Sequence, residues 1–199
     1  MKYMNRIVLA SLFIITQFLF IPIIAVGSVE VVDNERYHKQ IDKYTVILDK
    51  NPANYSSYLK RADAEYKIGK YKEAIEDYSK VLEQYPHVHE TYFLRGNSKF
   101  ALKDYKGAIE DFTKTINLEP NSVTAYCNRG TSKSLIKDYK GAIDDFDKVI
   151  SLDDSIYDAY YNRGVAKLHL GDYKSAIKEQ NRLCLKKHRL KKAKLCKII

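Results

Sequence analysis

The chain has 199 residues, of which 45% are hydrophobic and 12% aromatic, with only four prolines. This composition indicates a folded protein and excludes a disordered chain. The formal net charge of +9 is unevenly distributed, because the segment from Lys178 to Ile199 holds nine basic residues against one acidic residue. The middle of the chain is close to neutral, which excludes a nucleic-acid-binding body. Only the end of the chain can attract polyanions.

The first element is a run of twenty mostly apolar residues from Ile7 to Val26, preceded by two basic residues. Such a run is long enough to span a bilayer, and its basic flank would stay in the cytoplasm. The small residues at its end, before Ser28, also resemble a signal-peptidase site. We therefore predict that residues 1–27 form a signal peptide and that the protein is exported, either periplasmic or secreted. A membrane anchor formed by residues 7–26 and a buried core helix are the alternatives.

Beyond this segment the chain repeats with a period of 34 residues. The first repeated pattern, Tyr-x-x-Arg followed by Ala or Gly, begins at Tyr58, Tyr92, Tyr126 and Tyr160. The second pattern, Tyr-Lys-x-Ala-Ile, begins at Tyr71, Tyr105, Tyr139 and Tyr173. Apolar residues inside each unit lie three or four positions apart, which is the helical period and not the strand period. Each unit is therefore predicted to be a pair of antiparallel helices.

The residues between these helices predict how the helices begin and pack. Asn54, Asn121 and Ser122 precede first helices, and their side chains are predicted to cap the N-termini. Gly96, Gly130 and Gly164 lack a side chain, and this is predicted to let each first helix approach an alanine of the second helix closely.

These features resemble the tetratricopeptide repeat, whose 34-residue unit has an aromatic residue, a small residue four positions later, and an alanine and an aromatic residue in its second helix. The resemblance implies an all-α fold, a right-handed superhelical solenoid of antiparallel helix pairs. It covers about four units, residues 55–88, 89–122, 123–156 and 157–183. The last unit is degenerate, because Gln180 replaces the second-helix aromatic residue. Residues 28–54 are predicted to be a half-unit that caps the array, and residues 184–199 a basic C-terminal tail.

In this family the first helices of the units form a concave wall that usually receives a peptide or a partner helix. Each first helix is predicted to supply three residues, which we call the wall residues: Leu59, Asp63, Tyr66, Phe93, Asn97, Phe100, Cys127, Asn128, Thr131, Tyr161, Asn162 and Val165. Aromatic rings offer apolar contact area, and Asn can donate to and accept from an extended peptide backbone. We interpret the wall as a binding groove. A solvated face with incidental aromatic residues is the alternative.

One form of the family, similar to the chaperone-binding cochaperones, holds a C-terminal carboxylate between two Asn and three basic residues. Asn97 and Asn128 stand at the matching Asn positions. The three basic positions instead hold Phe93, Asp158 and Asn162. We therefore predict that this wall does not bind a terminal carboxylate.

The tail and the scattered polar residues give no sign of catalysis. The tail is predicted to be a solvated cap, with anionic lipid or another polyanion as an alternative partner, and no nucleic acid is expected outside the cytoplasm. The five histidines lack partners at metal-ligand spacing, and the acidic pairs Glu110–Asp111 and Asp144–Asp145 lack the spacing of a calcium loop. We predict that these acidic pairs face solvent on second helices.

The sequence thus predicts no enzyme, with no catalytic residue, no metal and no cofactor. The predicted function is that of a scaffold or adaptor that binds a peptide or a partner helix on its concave face, outside the cytoplasm. A structural or self-associating repeat protein of the cell envelope is the alternative.

Overall fold

The computed structural model describes residues 27–179 and residue 182. The predicted export segment therefore lies outside the described residues, apart from its last residue, and so do Gln180 and the tail. Nothing in the structure bears on these three predictions.

Helices and short turns make up the described chain, in which no strand occurs. The helices are α1 (Gly27–Lys50), α2 (Tyr55–Lys67), α3 (Tyr71–Gln84), α4 (His89–Ala101), α5 (Tyr105–Leu118), α6 (Val123–Leu135), α7 (Tyr139–Leu152) and α8 (Tyr157–His169). Residues 173–179 are also helical and are called α9. None of the helices in this part of the chain is long and apolar enough to cross a membrane.

From α1 to α8, each helix packs against its neighbours in sequence. The first helices of neighbouring units also touch, because α4 contacts α6 and α6 contacts α8. Helix α1 packs against α2 at the start of the array. This pattern of contacts belongs to a solenoid of helix pairs, so the predicted all-α fold is confirmed.

An aromatic residue fills the centre of each of the first three units. Tyr78, Phe112 and Phe146 are almost completely buried, with exposed fractions of 0%, 0% and 1%. Burial of one such ring contributes about 2–3 kcal/mol to folding, which makes these residues the main apolar contribution of each second helix.

Two of the three predicted small residues leave space that a neighbouring aromatic ring fills. A Cβ atom at Gly96 would lie 2.8 Å from Cε1 of Phe112, and one at Gly130 would lie 3.0 Å from Cε1 of Phe146. The close approach is confirmed, but its partner is the phenyl ring and not the predicted alanine. At Gly164 the nearest atom is Cβ of Glu179, at 3.4 Å, and the backbone oxygen of the predicted Ala176 follows at 3.8 Å.

The predicted helix cap at Asn54 is confirmed, and the other two are wrong. Oδ1 of Asn54 accepts a hydrogen bond from the Ser57 amide at 3.2 Å. Ser122 stands at the start of α6 without a side-chain cap bond, and its hydroxyl lies 3.5 Å from the hydroxyl of Thr124. Asn121 lies one residue further from the helix, where it does not occupy the capping position.

Candidate functional site

Three aromatic wall residues pack onto their own unit. The rings of Tyr66 and Phe100 each meet the tyrosine that begins the following helix, with ring centroids 5.4 Å apart. Phe93 lies against Phe112, with centroids 5.8 Å apart. All three wall rings are half-buried. Each therefore supports the helix pair and presents only part of its surface to a ligand.

Wall residues Asn97 and Asn128 form a direct link between two units. Nδ2 of Asn128 donates to Oδ1 of Asn97 at 2.9 Å. Because an amide side chain has both donors and acceptors, this bond leaves the amide protons of Asn97 and a lone pair on the carbonyl of Asn128. The pair therefore offers one donor and one acceptor side by side.

Wall residues Cys127 and Thr131 have structural contacts. The Thr131 hydroxyl donates to the backbone carbonyl of Cys127 at 2.9 Å. Burial of the Cys127 thiol, with a smaller effect from the nearby Asp158 carboxylate, raises its pKa. A thiol of raised pKa is a poor nucleophile, so this cysteine is a packing residue.

The last three wall residues differ in exposure. Tyr161 is 55% exposed, the largest exposed fraction among the aromatic wall residues. Asn162 and Val165 are half-buried.

A cavity of about 420 Å³ is lined by residues of α1, α2, α3 and α4. Its lining residues are Tyr37, Gln40, Asp63, Ala64, Tyr66, Lys67, Tyr78, Leu94 and Asn97. The buried Tyr78 hydroxyl donates to Oδ1 of Asp63 at 2.7 Å. Burial and this carboxylate together raise the pKa of Tyr78, which keeps the hydroxyl protonated. Three predicted wall residues thus meet in one cavity, together with α1 residues that the sequence did not point to.

Leu59 lines a different cavity. This second cavity, of about 600 Å³, also contains Tyr55 and Tyr85, whose rings meet edge to face at 5.4 Å. Leu59 packs as well against the buried cluster of Ala62, Ala74 and Tyr78. Leu59 therefore does not line the cavity around Asp63, although it and the wall residue Tyr66 pack against the same buried cluster.

A set of buried ion pairs runs through the units and was missed by sequence reasoning. We call it the arginine ladder; its members are Arg61, Arg95, Arg129 and Arg163. Their carboxylate partners, each 16 residues later on the second helix of the same unit, are Asp77, Asp111, Asp145 and Glu179. The closest nitrogen–oxygen distance in each pair is 2.6 or 2.7 Å. Each guanidinium also lies over the tyrosine of its own Tyr-x-x-Arg pattern.

The ladder also joins neighbouring units. Each guanidinium donates to a side chain 16 residues earlier, on the second helix of the preceding unit or half-unit: Thr45, Ser79, Thr113 and Asp147. The prediction that both members of the acidic pairs face solvent is therefore wrong for Asp111 and Asp145, which are 2% and 3% exposed. The repeated 16-residue spacing from arginine to carboxylate was the signal in the sequence.

A sequence profile of the tetratricopeptide repeat matches residues 59–123 and 137–188. These two segments make up more than half of the chain. The chain belongs to the tetratricopeptide repeat family. Proteins of this family are in general non-catalytic interaction scaffolds.

Solved structures of tetratricopeptide proteins share the fold. A crystal structure of MamA superposes with a TM-score of 0.76 at 23% identity, over 85% of this chain and 98% of that chain. YrrB, described as "a TPR protein with an unusual peptide-binding site", gives a TM-score of 0.70 at 19% identity, over 75% and 77% of the two chains.

A third match is to the first TPR of Spaghetti (RPAP3) bound to the HSP90 peptide SRMEEVD. Its TM-score is 0.56 at 23% identity, over 59% of this chain and 93% of that chain. No curated protein sequence matches the chain.

The first full tetratricopeptide unit departs from the other three at Glu65. The matching positions hold Lys99, Lys133 and Lys167, and each lysine lies within 2.8–3.0 Å of the ladder carboxylate of its unit. Glu65 instead lies 3.9 Å from Arg61, and its Oε2 has no hydrogen-bond partner among the described residues. Burial, and next the Asp77 carboxylate, raise the pKa of Glu65 to about 7.

No group of three or more histidine, cysteine, aspartate or glutamate side chains in the described ranges is arranged to hold a metal ion.

Proposed function

We propose that this protein is a non-catalytic scaffold or adaptor that binds a peptide on the concave wall of its tetratricopeptide array. The observation that carries the proposal is the Asn97–Asn128 pair, which joins two first helices and leaves a donor beside an acceptor. An extended peptide presents the complementary N–H and C=O groups along its backbone. The exposed ring of Tyr161 adds apolar contact area further along the array.

The names of two similar structures support a peptide as the class of ligand. YrrB is described as having a peptide-binding site, and the RPAP3 repeat is bound to an HSP90 peptide. The positions that would neutralise a terminal carboxylate hold Phe93, Asp158 and Asn162 in this chain. We therefore propose a ligand that is recognised along its length and not by a C-terminal carboxylate.

The test is peptide binding by purified variants. The double variant Asn97→Ala/Asn128→Ala, and separately Tyr161→Ala, are compared with wild type on an array of random nonapeptides. We expect both to lose at least tenfold in affinity, since each removes at least about 1.4 kcal/mol of contacts. The matched control is Asn117→Ala, an exposed position on the second helix α5. Equal binding by all variants, with unchanged helicity by circular dichroism, would remove the wall from consideration.

We further propose that binding takes place outside the cytoplasm. Support comes from the apolar run between residues 7 and 26 and its basic flank. Cell fractionation and N-terminal sequencing of the protein give the test. A mature N-terminus near Ser28 supports a signal peptide, an intact N-terminus in the membrane fraction supports an anchor, and an intact cytoplasmic protein contradicts both.

A self-associating structural protein is the second candidate. Its support is the exposure of Tyr173 and Ile177, at 65% and 60%, where the equivalent Tyr139 and Ile143 of the preceding unit are half-buried. Light scattering over a range of concentrations tests it. A dimer that dissociates on dilution and is lost in Ile177→Glu favours this candidate, whereas a monomer at all concentrations rejects it.

A further inference from the structure

The arginine ladder removes most of the positive charge that the first helices could offer to a ligand, although Lys60 and Lys67 of α2 are exposed and stand outside it. The four ladder arginines, and the lysines four positions after three of them, all approach buried carboxylates. The side chains of these seven basic residues are at most 20% exposed. Their positive charges are therefore neutralised inside the array and are not available to an acidic ligand.

Two acidic residues of the first helices, in contrast to these basic residues, are exposed and lie outside the ladder. Asp63, a wall residue, and Asp158, beside the wall residue Cys127, are both exposed. Neither takes part in an ion pair within the described ranges of the chain. The wall therefore carries unneutralised negative charge at both ends, which favours a cationic ligand by charge complementarity.

The cavity around Asp63 has the composition of a cation pocket. The half-buried Tyr37 and Tyr66 contribute rings to its lining, and ring faces attract ammonium and guanidinium groups. The Tyr78 hydroxyl holds Oδ1 of Asp63 at 2.7 Å, which fixes the carboxylate and leaves Oδ2 for a ligand. Gln40 and Asn97 add neutral polar groups to the lining.

We propose that this cavity receives a lysine or arginine side chain of the bound peptide, paired with Asp63. The proposal rests on the proposed function, since it names the class of peptide that the wall takes. One feature opposes it, because Lys67 also contributes to the lining. Lys67 is exposed, so its long side chain can keep its ammonium group in solvent while the pocket is occupied.

The carboxylate of Asp63 also has a structural role, as the acceptor for the buried Tyr78 hydroxyl. Asp63→Asn separates the two roles, because its amide oxygen still accepts that hydrogen bond while the negative charge is lost. The matched control is Asp144→Asn, which removes one exposed carboxylate from the second helix α7.

The experiment uses the full-length protein and the array of random nonapeptides. The strongest binders are resynthesised with each lysine or arginine replaced by norleucine or by glutamate. We expect the strongest binders to contain a basic residue. Replacement of that residue by norleucine should weaken binding to the wild-type protein about tenfold, because it removes a charge-assisted hydrogen bond that is shielded from bulk water. Asp63→Asn should lose this preference, Asp144→Asn should keep it, and Lys67→Ala should bind the basic peptides more tightly.

The failures of the two proposals are distinguishable. Peptides that bind without preference for basic residues, or a preference that persists in Asp63→Asn, would overturn the cation pocket and leave peptide binding standing. Absence of binding to every peptide on the array would overturn both.

Discussion

Asp111 shows why a buried charge is hard to recognise in a sequence. Its carboxylate accepts from Nε of Arg95 at 2.9 Å and from Nη2 at 2.7 Å, and Lys99 approaches at 2.8 Å. Charged residues of an amphipathic helix are ordinarily assigned to the solvent face, so the helical pattern placed this aspartate outside. Only the pairing with an arginine of the preceding helix explains its burial, and a pattern within one helix does not contain that information.

We predict that Arg95→Met lowers the free energy of unfolding by about 3–5 kcal/mol, because a buried carboxylate loses its bidentate partner. Urea unfolding gives the measurement. Lys106→Met, at an exposed position on α5, is the control and should change stability by less than about 0.5 kcal/mol. The double variant Arg95→Met/Asp111→Leu should recover much of the loss, since the buried carboxylate is then removed together with its arginine partner, and Lys99 can extend its ammonium group toward solvent. A loss below about 1 kcal/mol in the single variant would contradict this reading of the ladder.

Glu65 should make the first unit sensitive to pH. Its folded-state pKa of about 7 lies above the ordinary glutamate value of 4.5, so the fold favours the protonated form. The contribution to stability is therefore fully present below pH 4.5 and is lost as the pH rises through about 7. We expect the free energy of unfolding of the wild-type protein, measured with urea, to be roughly 1–3 kcal/mol lower at pH 8 than at pH 5. This decrease is counted after subtracting the change that Glu65→Gln shows over the same pH range.

The matched change is Glu65→Lys, which places a lysine where three other units already have one. It should approach Asp77 as Lys99 approaches Asp111, and so raise stability at pH 8 above that of wild type. Glu76→Gln, at an exposed position on α3, is the neutral control. Identical pH dependence in wild type and Glu65→Gln would show that Glu65 does not titrate in this range.

The helices themselves followed from the sequence because their apolar spacing, their turns and the repeat all agree. Small differences between equivalent turns did not follow. Gly69 and Gly171 adopt φ of 80° in the turn between the helices of their units, and Lys103 and Lys137 adopt φ of 63° and 66° at the matching places. The same backbone hydrogen bonds close the turns at lysine and at glycine, since the Asp104 amide donates to the Lys99 carbonyl and the Lys70 amide donates to the Glu65 carbonyl, both at 2.9 Å. This helix ending requires a left-handed residue, which lysine adopts against its intrinsic preference.

Packing between two helices can be compared directly at two equivalent glycines. Gly96→Ala would place Cβ 2.8 Å from the buried ring of Phe112, so we expect a net loss of about 1–3 kcal/mol from the helix pair. Gly164→Ala has 3.4 Å to its nearest neighbour, and the better helix propensity of alanine should raise stability by up to about 1 kcal/mol. Thermal unfolding of the two variants provides the comparison. Equal effects of the two substitutions would indicate that the ring of Phe112 moves aside without cost.

The candidate site was predictable only in part, for a reason that concerns contacts between elements. The family resemblance assigned residues to the wall one helix at a time. The cavity around Asp63 is formed by four helices, and Tyr37 and Gln40 come from α1, which belongs to no complete unit. Contributions from an incomplete unit cannot be read from a repeat pattern. The Asn97–Asn128 bond likewise depends on the distance between two units.

The array as a whole is linear, since in the described chain each helix contacts mainly its sequence neighbours. In such an array stability is a sum over units and their interfaces, and the ends have fewer interfaces. We predict that backbone amides of α5 and α6 exchange with deuterium more slowly than those of α1 and α9. Hydrogen exchange followed by mass spectrometry measures this gradient. Uniform protection along the chain would show instead that all units unfold together.

The spacing of the arginine ladder has a consequence for the length of the protein. Arg95 finds a carboxylate 16 residues ahead and a hydroxyl 16 residues behind, and Arg129 repeats the arrangement. A second copy of residues 89–122, inserted after residue 122, would bring its own arginine to the hydroxyl of Thr113 and offer its own threonine to Arg129. Whole units can thus be added or removed while every ladder arginine keeps both its carboxylate partner and its partner on the preceding unit. The length of the array can therefore change without leaving a ladder charge unpaired.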